Sequence, residues 1–190
     1  MMKTYSIKVA LRGISPMIWR RLQLPGNTSL ADFHAIIQLA MGWDNDYLHK
    51  FHIYGKDYGI SYAGGLWFSD DPHKVTLEEF DFDIGDRFTY TYNFYDHWLS
   101  DIRIEDIQEK AECMIPFCTG GQGRLVDNKP YYRVDEHMVL IDTLTEIFHG
   151  DEATPTVGDI RLMMERYENI RFNRQSINTH LADQFGNMTQ

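Results

Sequence analysis

Cysteine is scarce in this sequence, and long apolar runs are missing from it. Cys113 and Cys118 are the only two cysteines in 190 residues, and without a second pair they argue against a structural zinc site. No apolar run approaches the roughly 20 residues that a membrane span requires. The N-terminal residues alternate in polarity and lack the apolar segment of a signal peptide. We therefore expect reduced thiols and a soluble, cytoplasmic protein without membrane association.

Positive charge is also in deficit. Eighteen Lys and Arg residues stand against 28 Asp and Glu residues, so the formal net charge is −10. Such a charge repels a phosphate backbone unless a local basic stripe overcomes it. The arginines between 161 and 174 come closest to such a stripe, but Asp159, Glu165 and Glu168 accompany them. Nucleic acid is therefore not expected as a partner, whereas a protein partner or a small ligand stays open.

Sequence motifs that announce a common enzymatic chemistry are absent. The sequence has no phosphate-binding loop, no dinucleotide-binding glycine pattern, no nucleophile elbow and no paired zinc-ligand motif. We therefore expect no cofactor and no bound metal. Any catalytic hypothesis has to be built from scattered histidines.

Apolar residues are plentiful, at 43% of the chain, and aromatic residues contribute 14%. This is enough for a substantial core, and no linker divides the chain, so we expect one domain over residues 1–190. Period-2 alternation predicts β-strands. The predicted strands cover residues 5–11, 18–24, 48–54, 88–94 and 99–104.

Apolar residues at three- and four-residue spacing predict a helix that starts after Thr28 or Ser29 and ends at Gly42. Similar spacing predicts helices over residues 140–148 and 156–167, and a last short helix through Ile177, Leu181 and Phe185. The expected fold class is α+β. The sheet is expected to be mixed and mostly antiparallel, with an early hairpin-helix-strand unit of β-grasp type and a helical C-terminal third.

Residues 55–72 combine glycines with tyrosines, Trp67 and Phe68. Glycine and aromatic residues together can form a surface on which a ligand stacks. They can equally pin a long loop to the core. The sequence alone favours the second interpretation.

Three side chains form the best candidate for metal binding or acid–base chemistry. His34 lies in the apolar stripe of the first helix, and His49 can meet it across a helix–strand contact. Asp96, in a predicted turn, could add a carboxylate. His52 should point away from His49, because residues three apart lie on opposite faces of a strand. A core histidine bonded to its surroundings is the simpler explanation for His34.

The Trp19-Arg20-Arg21 segment allows two interpretations. Arg20 could bind an anion beside an indole ring. Alternatively, Trp19 is a core anchor and Arg20 pairs with one of the many carboxylates. We favour the second interpretation, and we expect Phe33 to lie in the core as well.

Four stretches together resemble the plasmid pRiA4b ORF-3-like family, also labelled the transposon passenger TnpR-like family. They are residues 11–21, with Pro16-Met17-Ile18-Trp19-Arg20-Arg21, residues 30–43, with a His34…Gly42-Trp43 helix, residues 48–51, and residues 90–104. The resemblance adds Trp43 and Trp98 to the candidate site, which then comprises Arg20, His34, Trp43, His49, Asp96 and Trp98. Asn93, Tyr95 and Ser100 replace an acid, a glycine and a histidine of the family pattern.

The resemblance implies an association with mobile elements but no recombinase chemistry. Our leading hypothesis is a non-enzymatic binding or interaction domain. One alternative is a metal-assisted hydrolase or nuclease-like enzyme that uses His34, His49 and Asp96. Another is a nucleic-acid-associated accessory protein, which the net charge of −10 disfavours.

Overall fold

The computed structural model of the chain describes residues 2–14, 17–62, 65–110, 115–124 and 171–186. Seven strands lie in these ranges: β1 Met2–Leu11, β2 Trp19–Pro25, β3 His49–Ile53, β4 Lys56–Tyr58, β5 Arg87–Tyr92, β6 Trp98–Lys110 and β7 Phe117–Gln122. The α-helices are α1 Leu30–Met41 and α2 Arg174–Phe185, and a short 3-10 helix covers Leu77–Phe80. The helices predicted over 140–148 and 156–167, and Cys113, lie outside the described residues.

The described strands form one sheet in the order β4-β3-β5-β6-β1-β2-β7, and every pairing in it is antiparallel. The long strands β1 and β6 pair along almost their whole length, from Met2 opposite Lys110 to Leu11 opposite Ser100. This pairing joins segments about a hundred residues apart. The sheet is therefore held together at its middle by contacts that local sequence does not reveal.

The predicted α+β fold class is wrong. The described part of the chain is mostly an antiparallel sheet, with two α-helices, of which only α2 belongs to the C-terminal third. The β-grasp unit does not form either, because β3 pairs with β5 and is separated from the β1–β2 hairpin. The individual strand predictions for β1, β2, β3, β5 and β6 are confirmed, and so are helices α1 and α2.

Helix α1 begins and ends at the residues that the sequence indicated. The Ser29 hydroxyl accepts a hydrogen bond from the Asp32 amide at 3.0 Å, and Gly42 adopts the left-handed conformation at φ 77°. The buried face of the helix packs on the sheet through Phe33, whose ring stacks on Phe51 at 5.3 Å. As expected, Phe33 is a core residue.

The register of β2 places Arg20, and not Trp19, on the face of the strand that packs into the core. Arg20 lies opposite Val9, so it shares the buried face with the core and is 2% exposed. Trp19 is on the other face, half-buried, between Lys8 and Arg21, whose charged ends lie 5.0 and 5.1 Å from the indole centroid. The prediction that Trp19 anchors the core is therefore wrong. Successive side chains of a strand point to opposite faces, and here Arg20 takes the face towards the core.

No helix among the described residues is long and apolar enough to cross a membrane.

Candidate functional site

The two histidines of the predicted trio meet in the core. His34 projects from the buried face of α1, and His49 begins β3. Their imidazole rings stack in parallel, with centroids 3.4 Å apart and an interplanar angle of 8°. Both side chains are buried. His52 lies on the opposite face, exposed, and bonds to Asp57, as strand geometry predicts.

His34 belongs to a closed ring of hydrogen bonds, which we call the polar ring: Gln38, Tyr90, His34 and Asn45. The Gln38 amide donates to the Tyr90 hydroxyl at 2.8 Å, and that hydroxyl lies 2.7 Å from His34 Nδ1. His34 Nε2 lies 2.6 Å from Asn45 Oδ1, and the backbone N–H of Asn45 donates to Gln38 Oε1 at 3.1 Å. One proton arrangement satisfies all four bonds: Tyr90 donates to Nδ1, and Nε2–H donates to Asn45.

Burial keeps the histidine pair uncharged. It lowers the pKa of His34 to about 4, against the opposing effect of the Asn45 hydrogen bond. It lowers the pKa of His49 to about 2, and the neighbouring His34 adds to that shift. Both imidazoles are therefore neutral at neutral pH. A general acid or base that works near pH 7 needs a pKa near that value, which neither ring has.

His49 differs from His34 in its bonding. Neither of its ring nitrogens has a hydrogen-bond partner among the described residues. An unpaired buried polar group costs about 1–3 kcal/mol. Here the imidazole acts as a flat ring, packed against His34, Phe51 and Tyr90.

Asp96 does not complete the trio. Its carboxylate accepts a 2.7 Å hydrogen bond from Asn93 in the turn between β5 and β6. Within the described ranges, no three His, Cys, Asp or Glu side chains are grouped so that they could hold a metal ion. The carboxylate that the hydrolase hypothesis requires is therefore not placed at the histidine pair.

Trp43 and Trp98 pack near the polar ring. Gly42 turns the chain after α1, and the Trp43 ring then stacks on Tyr92 at 4.9 Å and lies 6.5 Å from Trp98. Trp98 is fully buried at the start of β6, where it is part of the hydrophobic core. Trp43 is 6% exposed, and its indole N–H has no partner among the described residues.

Among the described residues Arg20 bonds to carbonyls and not to a carboxylate, contrary to the expectation from the sequence. Its Nε donates to the Ala40 carbonyl at 2.6 Å. Its Nη1 donates to the carbonyls of Trp19 and Gln122 at 2.8 and 3.0 Å. The guanidinium thus binds one carbonyl in the last turn of α1, where the helix dipole favours a cation, and two carbonyls on β2 and β7.

Arg20 and Trp43 also line an open cleft of about 250 Å³, which we call the arginine cleft. It lies between the last turn of α1 and the first turns of α2. Among the described residues, the other basic side chains on its walls are Arg124, Arg171 and His180, and Asp44 is acidic.

A larger cleft, of about 520 Å³, lies on the other face of the sheet. We call it the aromatic cleft, and its described walls are Lys50, Lys56, Asp57, Leu66, Trp67, Phe68, Ser69, Thr91, Phe94 and His97. Phe68 is buried and packs so closely on Gly59 that a Cβ there would lie 2.8 Å from its ring. Trp67, the next residue along the wall, is 80% exposed. Phe68 thus pins the described part of this loop to the rest of the protein, while the Trp67 ring stays exposed.

Sequence reasoning missed most of the polar ring. Gln38 lies one helical turn after His34, on the same face of α1, so the i, i+4 spacing could have revealed it. Asn45 could not be found in that way. It reaches His34 only because the chain takes a positive φ of 59° there.

Comparison with known proteins relates the chain to one family and to individual proteins. The model of the family described as plasmid pRiA4b ORF-3-like protein matches residues 3–131. The uncharacterized protein y4hQ of Sinorhizobium fredii is 33% identical over 102 residues, which are 52% of this chain and 52% of that protein. The chain thus covers about half the length of this relative. The crystal structure of the protein of unknown function MM3350 from Methanosarcina mazei is 26% identical, with a TM-score of 0.67 over 93% of this chain and 97% of that one.

Proposed function

We propose that this chain, which belongs to the plasmid pRiA4b ORF-3-like family, is a binding domain and not an enzyme. The resemblance to that family is thereby confirmed, while the TnpR-like label stays a prediction. The observation that carries the proposal is the aromatic cleft, with the exposed Trp67 ring at its wall. Ligand sites are typically concave and aromatic, with a few polar groups, and have volumes of about 300–1,000 Å³.

The charges around the aromatic cleft indicate an uncharged ligand. Lys50 pairs with Asp57 at 2.8 Å, and Lys56 pairs with Asp70. Each cation on the wall is thus matched by a carboxylate, so the cleft offers a charged ligand little net attraction. Trp67 and Phe94 supply apolar ring surface, while Thr91 supplies a hydroxyl. We therefore propose a ligand with a flat, uncharged ring.

The hydrolase alternative has less support. Its two histidines are neutral and sealed from solvent. His34 is bonded within the polar ring, and Asp96 is bonded to Asn93. A catalytic histidine has to reach a substrate, and neither of these lines the aromatic cleft.

The family description names a plasmid reading frame, which supports a role associated with mobile elements. We propose this association as the setting for the binding function. An accessory protein that itself binds nucleic acid is less favoured, because the chain carries a net charge of −10.

Chemical-shift mapping by NMR tests the binding proposal. Adenosine, indole and methyl glucoside are three uncharged probes with flat faces of different chemistry. We expect at least one to shift the Trp67 indole N–H and the Thr91 amide, with a Kd near about 1 mM or below, equivalent to about −4 kcal/mol.

Trp67→Ala should abolish the shift of the Thr91 amide. Tyr95→Ala is the matched control, because Tyr95 is also an exposed aromatic residue, at 95%, but is not on the cleft wall. The proposal fails if none of the three probes moves a cleft resonance, or if Trp67→Ala binds as well as the original chain.

A further inference from the structure

A row of basic residues crosses the outer face of the sheet. Strand register places Arg87 opposite Arg103 and Arg103 opposite Lys8. Lys8 in turn lies opposite Arg21. We call these four residues the cationic row, and they occupy the consecutive strands β5, β6, β1 and β2. Ile102, which precedes Arg103, is a core residue, so alternation along the strand places the row on the face away from the core.

The arrangement of the cationic row does not favour stability. Like charges directly opposite one another on neighbouring strands destabilise a sheet. Neighbouring strands are about 4.8 Å apart, so the row places four cations over about 14 Å. The chain has 28 acidic and only 18 basic residues, so its composition does not favour four basic residues side by side. Residues that serve a function often cost stability in this way.

The carboxylates nearest to the cationic row are bonded to other arginines or to its end. Glu105 accepts hydrogen bonds from Arg21 Nε and, at 3.3 Å, from Arg21 Nη2. Asp101 accepts one from Arg12, which lies outside the row, at 3.0 Å. The other three members of the row form no ion pair with a described residue. Their charges are therefore open to a partner of opposite charge.

Trp19 orders one end of the cationic row. Its indole centroid lies 5.0 Å from Lys8 Nζ and 5.1 Å from the guanidinium carbon of Arg21. The indole N–H donates to the Gln122 side chain at 3.4 Å. These contacts hold the two charges in place without neutralising them. A partner that binds to them therefore has less side-chain freedom to immobilise.

We propose that the cationic row binds an acidic segment of a partner protein in an extended conformation. Alternate side chains of an extended chain lie on one face about 6.7 Å apart, so three of them cover about 13 Å and match the row. Clusters of basic residues recognise acidic motifs in this way. A nucleic-acid strand fits less well, because it would extend beyond the row over a protein of net charge −10. The row shares no residue with the aromatic cleft.

Titration of the full chain with a capped six-residue peptide, in which glutamate alternates with serine, tests this proposal. We expect the backbone amides of Lys8 and Arg103 to shift saturably in NMR spectra, with a Kd of about 1 mM or below at low salt. The affinity should fall at about 0.5 M salt, because salt screens exposed charges. The same peptide with glutamine in place of glutamate should shift neither amide.

Two exposed arginines of the row give the test variants. Arg103→Gln and Arg87→Gln should each weaken binding about threefold, and the double variant about tenfold. Arg103→Gln should unfold at the same or a higher urea concentration than the original chain, since it removes a contact between like charges. Lys74→Gln is the matched control, because it also removes one positive charge, but Lys74 lies in the loop before the 3-10 helix and is 83% exposed.

The proposal is overturned if the glutamate peptide shows no saturable binding. It is also overturned if Lys74→Gln weakens binding as much as Arg103→Gln, because only the overall charge would then matter. Six-nucleotide oligothymidylate should bind more weakly than the peptide. Tighter binding of this oligonucleotide would assign the row to single-stranded nucleic acid and would overturn the proposal as well.

Discussion

The buried histidine pair should make the protein unstable in mild acid. The pKa of His34 is about 4 and that of His49 about 2 in the folded chain, against an ordinary value of 6.5. As the pH falls below 6.5, the unfolded chain binds protons at both residues and the folded chain does not. The stability that the neutral pair maintains is therefore fully present above pH 6.5. It is lost progressively as the pH falls towards the folded values.

The size of this stability loss follows from the difference in the number of protons bound by the unfolded and the folded chain. At about pH 5, protonation of one free imidazole favours the unfolded state by about 2 kcal/mol, so the pair contributes about 4 kcal/mol. Many domains are stable by only about 5–15 kcal/mol. The loss between about pH 7 and 5 should therefore be large. It also precedes most carboxylate protonation, which occurs nearer pH 4.

Urea denaturation of the original chain and of His49→Leu at several pH values measures this loss. His49→Leu replaces the imidazole with an apolar side chain of similar volume and removes no hydrogen bond to a described residue. We expect it to halve the loss, and thus to gain about 2 kcal/mol relative to the original chain at about pH 5. His73→Leu, a change at an exposed histidine, should leave the full loss in place.

Two results would refute this reasoning. The first is an original chain whose unfolding free energy is the same at about pH 7 and 5. The second is a His49→Leu variant that loses as much stability as the original. Either would mean that the folded chain takes up the protons, so that the pair is open to solvent.

Three further predictions concern the core, nucleic acid and metal. Phe33→Ala should lower the unfolding free energy by about 3–5 kcal/mol in urea denaturation, because the Phe33 ring is fully buried, and a loss below about 1 kcal/mol would contradict this. Fluorescence anisotropy should show no binding of duplex DNA near physiological salt, and micromolar affinity that falls steeply with salt would contradict this. A chelator should leave the melting temperature unchanged, and elemental analysis should find less than about half an equivalent of metal per chain, whereas stoichiometric metal lost on His34→Ala would revive the hydrolase hypothesis.

The sequence predicted elements where the relevant interactions are local. The polar–apolar alternation of β1 and β5 depends only on residues close in sequence, and so do the helical spacing and the end caps of α1. These elements were therefore predicted correctly. The fold class was wrong because the pairing of β1 with β6 is not local. Strand β7 was missed because its glycines resemble a loop. A Cβ at Gly121 would lie 2.6 Å from the Phe172 ring, so that glycine serves packing.

The same distinction applies to the candidate sites. The contact between His34 and His49 was predicted, since it needs only a helix that covers a neighbouring strand. Arg20 was placed with the wrong partners, because the face on which it lies depends on the register with Val9. The sequence identified only one part of the aromatic cleft, the 55–72 segment, and favoured its interpretation as a loop. Its walls come from β3, β4, β5, the turn after β5 and the 66–69 segment, which meet only in the folded sheet.

Ser100 provides the last physical argument for a binding domain. It lies opposite Tyr90 in the β5–β6 register, is fully buried, and has a hydroxyl without a partner among the described residues. The resemblance described above implies a histidine at this position in the family pattern. An imidazole there would be a second neighbour of Tyr90, and imidazole–phenol–imidazole is an arrangement that can pass a proton. With serine in its place, the four hydrogen bonds of the polar ring close on themselves. The histidine pair of this chain is thus better suited to holding α1 on the sheet than to moving protons.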